Sequence, residues 1–133
     1  MRLASLIVAV VAMIAGSAGW AAGAGLEGKW RLASLPGVVS FEASKTEVIF
    51  IAEDRAAMTV GCNRMSGTVR RDGDALIFGP IMATKMLCPP PLMDLEMRLQ
   101  KAIAATRAFK IEGGAMHLLD ATGGVTATFF KKP

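Results

Sequence analysis

Apolar and polar residues alternate with a period of two along most of the chain after residue 28, which is the pattern of strands that bury one face. The runs end at Gly, Pro, Asn or Asp, residues that favour tight turns. Asp72-Gly73 is typical of a two-residue hairpin turn. The pattern predicts seven or eight short strands, near residues 29–35, 46–51, 57–60, 68–71, 75–78, 109–111, 115–119 and 125–131.

One segment has a different period. From Leu92 to Arg107 apolar residues recur every three or four positions, the spacing of one helical face. Prolines 89–91 stop any earlier element, and Asp94 and Glu96 lie near the expected helix start, where the helix dipole favours acidic groups. The sequence therefore predicts an α+β fold: a curled antiparallel β-sheet, open and barrel-like, with one amphipathic helix near residues 92–107.

The first 24 residues have the composition of an export signal. Arg2 precedes an apolar stretch, and Ala22-Gly23-Ala24 has the form of a signal-peptidase site, with cleavage after Ala24 favoured over cleavage after Ala21. An uncleaved anchor is the weaker alternative, because the apolar core is shorter than the ~20 residues that span a membrane. With no cysteine nearby, a lipoprotein is not expected. We expect residues 1–24 to be a cleaved secretory signal peptide and residues 25–133 to form one periplasmic or secreted bacterial domain without stable membrane insertion.

Charges along the chain are scattered. Charged residues make up 20% of the sequence and the formal net charge is +4, of which Arg2 supplies one. Proteins that bind nucleic acid usually concentrate Lys and Arg on one face, and an exported protein has little access to nucleic acid. Nucleic-acid binding is therefore not expected.

The only two cysteines are Cys62 and Cys88. An even number of cysteines in an exported domain favours a disulfide, and closing this loop would stabilise the fold by about 3–4 kcal/mol through chain entropy. The alternative is two buried thiols that never meet. A redox-active pair is disfavoured, because catalytic dithiols usually have Cys-x-x-Cys spacing.

Both cysteines lie in compact motifs, Gly61-Cys62-Asn63-Arg64-Met65-Ser66-Gly67 and Thr84-Lys85-Met86-Leu87-Cys88. Together with Leu26-x-Gly28-x-Trp30-x-Leu32, the helix after Cys88 and Leu118-Leu119-Asp120, they resemble the META domain family, whose bacterial type is called HslJ-like after a heat-shock protein. The resemblance covers residues 26–131; Met65 stands where the family commonly has an aromatic residue. It implies an exported protein with a role in stress and no established catalytic activity.

Three motif residues have the chemistry of a bend. Gly61 and Gly67 bracket residues 62–66, where side chains would obstruct a tight turn of the backbone. Asn63 tolerates left-handed conformations and bonds neighbouring backbone groups, so a turn-forming role is expected for it.

Basic motif residues offer a binding alternative. Arg64, Thr84 and Lys85 are most simply surface residues of a bend and a strand. If Arg64 and Lys85 converge with Arg70 or Arg71, they form a cationic patch suited to an anionic group.

Signals for catalysis are weak. His117 is the only histidine and lies in a predicted strand, pointing away from the core. Ser66 lacks the Gly-x-Ser-x-Gly sequence of a nucleophile elbow, and no Cys-x-x-Cys or Glu-x-x-His spacing suggests a metal site. We expect no catalytic residues, no metal and no cofactor.

Methionines suggest a second class of function. Flexible thioether side chains can line an adaptable apolar cavity, although filling the core is their commoner role. With the resemblance to the META domain family, which implies the stress context, we expect a monomeric, non-enzymatic envelope protein that acts as a binding or assembly factor during stress, with an envelope protein or a small apolar ligand as partner. The alternative is a carrier of lipids or hydrophobic compounds in the sheet interior, and a third hypothesis is an inhibitor or adaptor. Seven methionines follow the signal: Met58, Met65, Met82, Met86, Met93, Met97 and Met116.

Overall fold

A computed structural model describes residues 25–51 and 54–133, so the predicted signal peptide lies outside the described residues. Within these ranges the chain forms one helix, α1 (Pro90–Ala105), and a short 3₁₀ turn at Ala43–Lys45. The predicted α+β class is confirmed. The strands are β1 (Gly28–Ser34), β2 (Glu47–Ile51), β3 (Arg55–Thr59), β4 (Arg64–Asp72), β5 (Ala75–Phe78), β6 (Met82–Ala83), β7 (Ala108–Glu112), β8 (Ala115–Leu119) and β9 (Val125–Lys131).

The strands form one curled antiparallel sheet. Their order is β3-β2-β1-β9-β8-β7-β5-β4-β6, and β3 also pairs with β4, which brings the sheet round into a ring. The ladder between β5 and β7 contains a single register pair, Ala75 with Ala108, so the ring is not a regular barrel. The predicted curled antiparallel sheet is confirmed.

Two of the elements that differ from their predicted limits bear on the first cysteine motif and the helix start. α1 begins at Pro90 rather than near residue 92, because prolines fit the first helical turn, where backbone N–H groups have no intrahelical partner. Asp94 and Glu96 consequently lie beyond the first turn, and their predicted interaction with the helix dipole is wrong. β4 begins at Arg64, four residues earlier than predicted, and so includes most of the first cysteine motif.

The core lies between the inner face of the curled sheet and one stripe of α1. Leu95, Leu99 and Ile103 recur every fourth position on α1 and are buried against the sheet. Within the described ranges no helix is long and apolar enough to cross a membrane. The largest side chains that fill the interior are Trp30, Phe129, Leu32, Met65, Leu76, Leu99, Ile103, Met116 and Leu118.

Candidate functional site

Cys62 and Cys88 form a disulfide, with Cα atoms 5.9 Å apart and a sequence separation of 26 residues. Cys62 lies in the bend between β3 and β4, and Cys88 lies just before the prolines that begin α1. The bond ties the beginning of β4 to the beginning of the helix. The predicted disulfide is therefore present in the structure, in preference to two separate thiols.

Glu96 extends from α1 into the same junction and is only 4% exposed. Its Oε1 accepts hydrogen bonds from the backbone N–H groups of Cys62 (2.9 Å) and Asn63 (2.6 Å), and its Oε2 accepts one from Asn63 Nδ2 (2.8 Å). Burial by itself would raise the pKa of Glu96, but the hydrogen bonds from Asn63 and Cys62 outweigh it and hold the pKa below its ordinary value of 4.5. At neutral pH the junction thus contains a charged, hydrogen-bonded carboxylate.

Asn63 connects this carboxylate to the second cysteine motif. Its Oδ1 accepts hydrogen bonds from Thr84 Oγ1 (3.0 Å) and from the backbone N–H of Met86 (2.7 Å). Thr84 Oγ1 in turn accepts the backbone N–H of Arg64 at 3.0 Å. We call Glu96, Asn63, Thr84 and the backbone groups they bind the Glu96 network. Asn63 therefore does more than form a turn, because its amide joins β4, α1 and the segment 84–86.

Glu96 is not among the site residues that the sequence predicts. One signal was present: Glu96 shares the helical face of Leu92, Leu99 and Ile103, so the apolar stripe contains a carboxylate. The residue four positions on is Gln100, which supplies no cation to pair with it along the helix. A carboxylate at such a position needs donors from another element.

Gly61 and Gly67 both allow close packing, but only Gly61 lies in a bend. A Cβ atom at Gly61 would lie 3.0 Å from Leu92 Cδ2 at the start of α1. A Cβ atom at Gly67 would lie 3.0 Å from the backbone oxygen of Pro80, across from the segment that leads into β6. Since Gly67 lies within β4, the predicted bend bracketed by two glycines is wrong at its second end, and close strand packing explains that glycine.

The basic motif residues are only partly brought together. The backbone of Arg64 pairs with that of the residue before Lys85, which places these two exposed residues near each other. Arg70 lies six residues further along β4, about 20 Å away at roughly 3.3 Å per residue. The Arg71 guanidinium lies over the Phe109 ring, 4.8 Å from its centroid. Arg64 and Lys85 therefore do not converge with Arg70 or Arg71, and the predicted cationic patch does not form.

A groove of about 600 Å³ opens beside the Glu96 network, between the segment 81–87 and α1. Four of its apolar side chains are strongly exposed: Met86 (53%), Leu87 (94%), Met93 (45%) and Met97 (63%). We call this surface the methionine groove. Its lining consists of these four residues with Asn63, Ile81, Ala83, Thr84, Lys85, Glu96 and Gln100.

The methionines thus separate into two groups. Met58, Met65 and Met116 are at most 2% exposed and fill the core. Met82, which is 76% exposed, lies on β6 outside the groove lining. Among residues 25–51 and 54–133 the exposed methionines all lie in segment 82–86 or on α1, so the adaptable apolar surface is outside the sheet and not in its interior.

Groups that resemble catalytic residues are held in structural contacts. His117 Nδ1 lies 2.9 Å from Thr128 Oγ1 on the neighbouring strand, and its side chain is 27% exposed. In the described residues there is no group of three or more His, Cys, Asp or Glu side chains placed to hold a metal ion. The expectation that the protein is not an enzyme stays a prediction.

Comparison with known proteins identifies the family. Residues 24–133 match the META domain. The chain belongs to the META domain family. This agrees with the resemblance of its two cysteine motifs, while a comparison with curated proteins gives no match.

Solved structures support the same fold. A protein from Burkholderia xenovorans, solved by NMR, has a TM-score of 0.62 at 21% identity, over 80% of this chain and 83% of that one. A DUF4847 family protein from Bacteroides vulgatus, solved by crystallography, has a TM-score of 0.62 at 11% identity, over 80% of this chain and 94% of that one. At these identities the likeness concerns the fold alone.

Proposed function

We propose that this META-domain protein is a non-catalytic binding or assembly factor of the bacterial cell envelope, which contacts a partner protein through the methionine groove during stress. One observation carries the proposal: flexible apolar side chains are exposed in a concave surface whose two sides are fixed to each other. The disulfide and the Glu96 network supply that fixation. A preorganised surface loses less conformational entropy on binding.

Exposure of the groove residues supports a protein partner. Large apolar side chains that are clustered on a surface commonly mark interaction sites, and methionine adapts to varied partners. Glu96, the carboxylate in the lining, is engaged by Cys62 and Asn63, whereas Lys85 is exposed at the same surface. The expected partner segment therefore has apolar side chains next to a carboxylate.

An envelope location is consistent with the disulfide. Such bonds persist in oxidising compartments, including the bacterial periplasm, and are rare in the cytosol. The apolar segment before residue 25 supplies the route of export in this proposal.

The sheet interior is a poor site for a carried ligand. Trp30, Leu99, Met116 and Phe129 are at most 1% exposed and belong to one packed core. A lipid there would have to displace these side chains, and expanding a packed core costs stability. The carrier hypothesis is therefore the less favoured of the two.

Site-specific photo-crosslinking in stressed cells tests the proposed function. A photoreactive residue replaces Met86 in the groove or, as a control, Phe130 on β9; the native side chains are 53% and 57% exposed. We expect an adduct of defined mass from position 86 that is absent from position 130, because only the first faces the groove. Equal labelling from both positions, or an adduct with the mass of two copies of this chain, would contradict the proposal.

A further inference from the structure

We infer that the methionine groove contains a Cu(I) site formed by the thioether sulfurs of Met86, Met93 and Met97. This inference does not rest on the proposed partner protein. It goes beyond the clusters of His, Cys, Asp and Glu that ordinarily indicate a metal site, because its ligands are sulfur atoms without charge.

The fold places the three side chains along one groove. Met93 and Met97 are four residues apart on α1, so they lie on the same helical face with Cβ atoms about 5–6 Å apart. Met86 belongs to the opposite wall, and all three line the same groove. The hydrogen bond from the Met86 backbone N–H to Asn63 Oδ1 (2.7 Å) fixes the backbone position from which the Met86 side chain extends.

Exposure leaves these side chains free to rearrange. They are 45–63% exposed, and each is unbranched with several rotatable bonds, so the sulfur atoms can turn toward a common point without disturbing the core. Lys85 also lines the groove, but its exposed side chain can keep the ammonium group in water.

Ligand chemistry selects the metal. Soft thioether ligands favour Cu(I), whereas Mg²⁺, Ca²⁺ and Mn²⁺ prefer oxygen. The carboxylate of the groove is not free to add a hard ligand, because Glu96 accepts hydrogen bonds from Cys62 and Asn63. The two cysteines are joined to each other and supply no thiolate. The step is simple coordination of Cu(I), with no electron transfer and no proton released.

The test is an anaerobic titration of the folded protein, its disulfide intact, with Cu(I) in competition with a chromophoric Cu(I) chelator. We expect one bound Cu(I) per chain, and X-ray absorption with sulfur as the nearest neighbour. The variant M86L/M93L/M97L removes all three proposed ligands. Mutation of a residue that only supports a metal ligand weakens metal affinity by roughly 10–100-fold, so this variant should lose at least that much affinity for Cu(I). Leucine retains the size and apolarity of each side chain, so stability should change little.

Met82→Leu is the matched control, since Met82 is exposed but outside the groove lining. It should bind Cu(I) like the unmodified protein. No binding by the unmodified protein, or equal binding by the triple variant, would overturn the inference. Leucine keeps the apolar surface, so crosslinking to a partner from a photoreactive residue at position 86 should persist when Met93 and Met97 are both leucine. Failure of the Cu(I) site is therefore separable from failure of the proposed function.

Discussion

Glu96→Ala is expected to lower the free energy of unfolding by about 3–5 kcal/mol, among the largest effects of any single substitution outside the apolar core. The change leaves the backbone N–H groups of Cys62 and Asn63 and the Asn63 side-chain amide without their acceptor. Each buried donor without a partner lowers the free energy of unfolding by about 1–3 kcal/mol. The total is smaller than three full penalties, because Cys62 is half-buried and water can reach its N–H group. Urea denaturation at pH 7 measures the effect.

Two further variants show whether the stability loss comes from the Glu96 network or from the removal of any acidic residue on α1. Glu96→Gln keeps one oxygen for the backbone donors but places an amide against the Asn63 amide, so a loss of roughly 1–3 kcal/mol is expected. Asp94→Ala removes an exposed ion pair with Arg98 on the same helix and should cost less than about 0.5 kcal/mol. Equal losses from Glu96→Ala and Asp94→Ala would show that the network does not stabilise the fold.

The contribution of Glu96 to the free energy of unfolding depends on pH. The pKa of Glu96 is lowered in the folded protein, so the unfolded chain binds its proton more tightly. Its contribution is fully present above pH 4.5, the ordinary pKa of the group, and is lost as pH falls through the lowered value. The stability difference between the unmodified protein and Glu96→Gln should therefore shrink below pH 4.5, and a constant difference would contradict this assignment.

Removal of the disulfide in C62S/C88S is expected to lower the free energy of unfolding by about 3–4 kcal/mol, the value for closing a loop of this length. The bond joins residues 26 apart, so its loss gives the unfolded chain more conformations. Urea denaturation of the variant is compared with that of the unmodified protein in reductant. The two curves should agree, and a loss below about 1 kcal/mol would show that the bond adds little constraint.

Local features of the fold were predictable from the sequence. Asp72-Gly73 predicts a hairpin through the positive φ that glycine tolerates, and Gly73 has a φ of 57°. The strands at 75–78, 115–119 and 125–131 have the predicted limits, since alternation and flanking turn residues are properties of neighbouring positions. β6 was not predicted, because two residues are too few to show alternation.

Contacts that build the candidate site are not local. The hydrogen bonds that Glu96 accepts from the backbone of Cys62 and Asn63 span 34 and 33 residues, and a single sequence contains no signal for such pairing beyond a carboxylate on an apolar stripe. Composition likewise shows that methionines are frequent but not which of them are exposed. Met86 and Met93 become neighbours through the disulfide and the Asn63 amide, and these depend on the folded chain.

The central claim is that the disulfide and the Glu96 network together hold the junction of β4, α1 and the segment 84–86. This junction forms the wall of the methionine groove. The most direct test measures unfolding of the unmodified protein and of Glu96→Gln, each oxidised and reduced. If the disulfide and the Glu96 network hold the same segments, Glu96→Gln should lower the free energy of unfolding by less in the reduced protein than in the oxidised one. The difference, which is the coupling free energy, should be about 1 kcal/mol or more. If the bond and the network act independently of each other, the two losses add to within about 0.3 kcal/mol, and that result would contradict the claim.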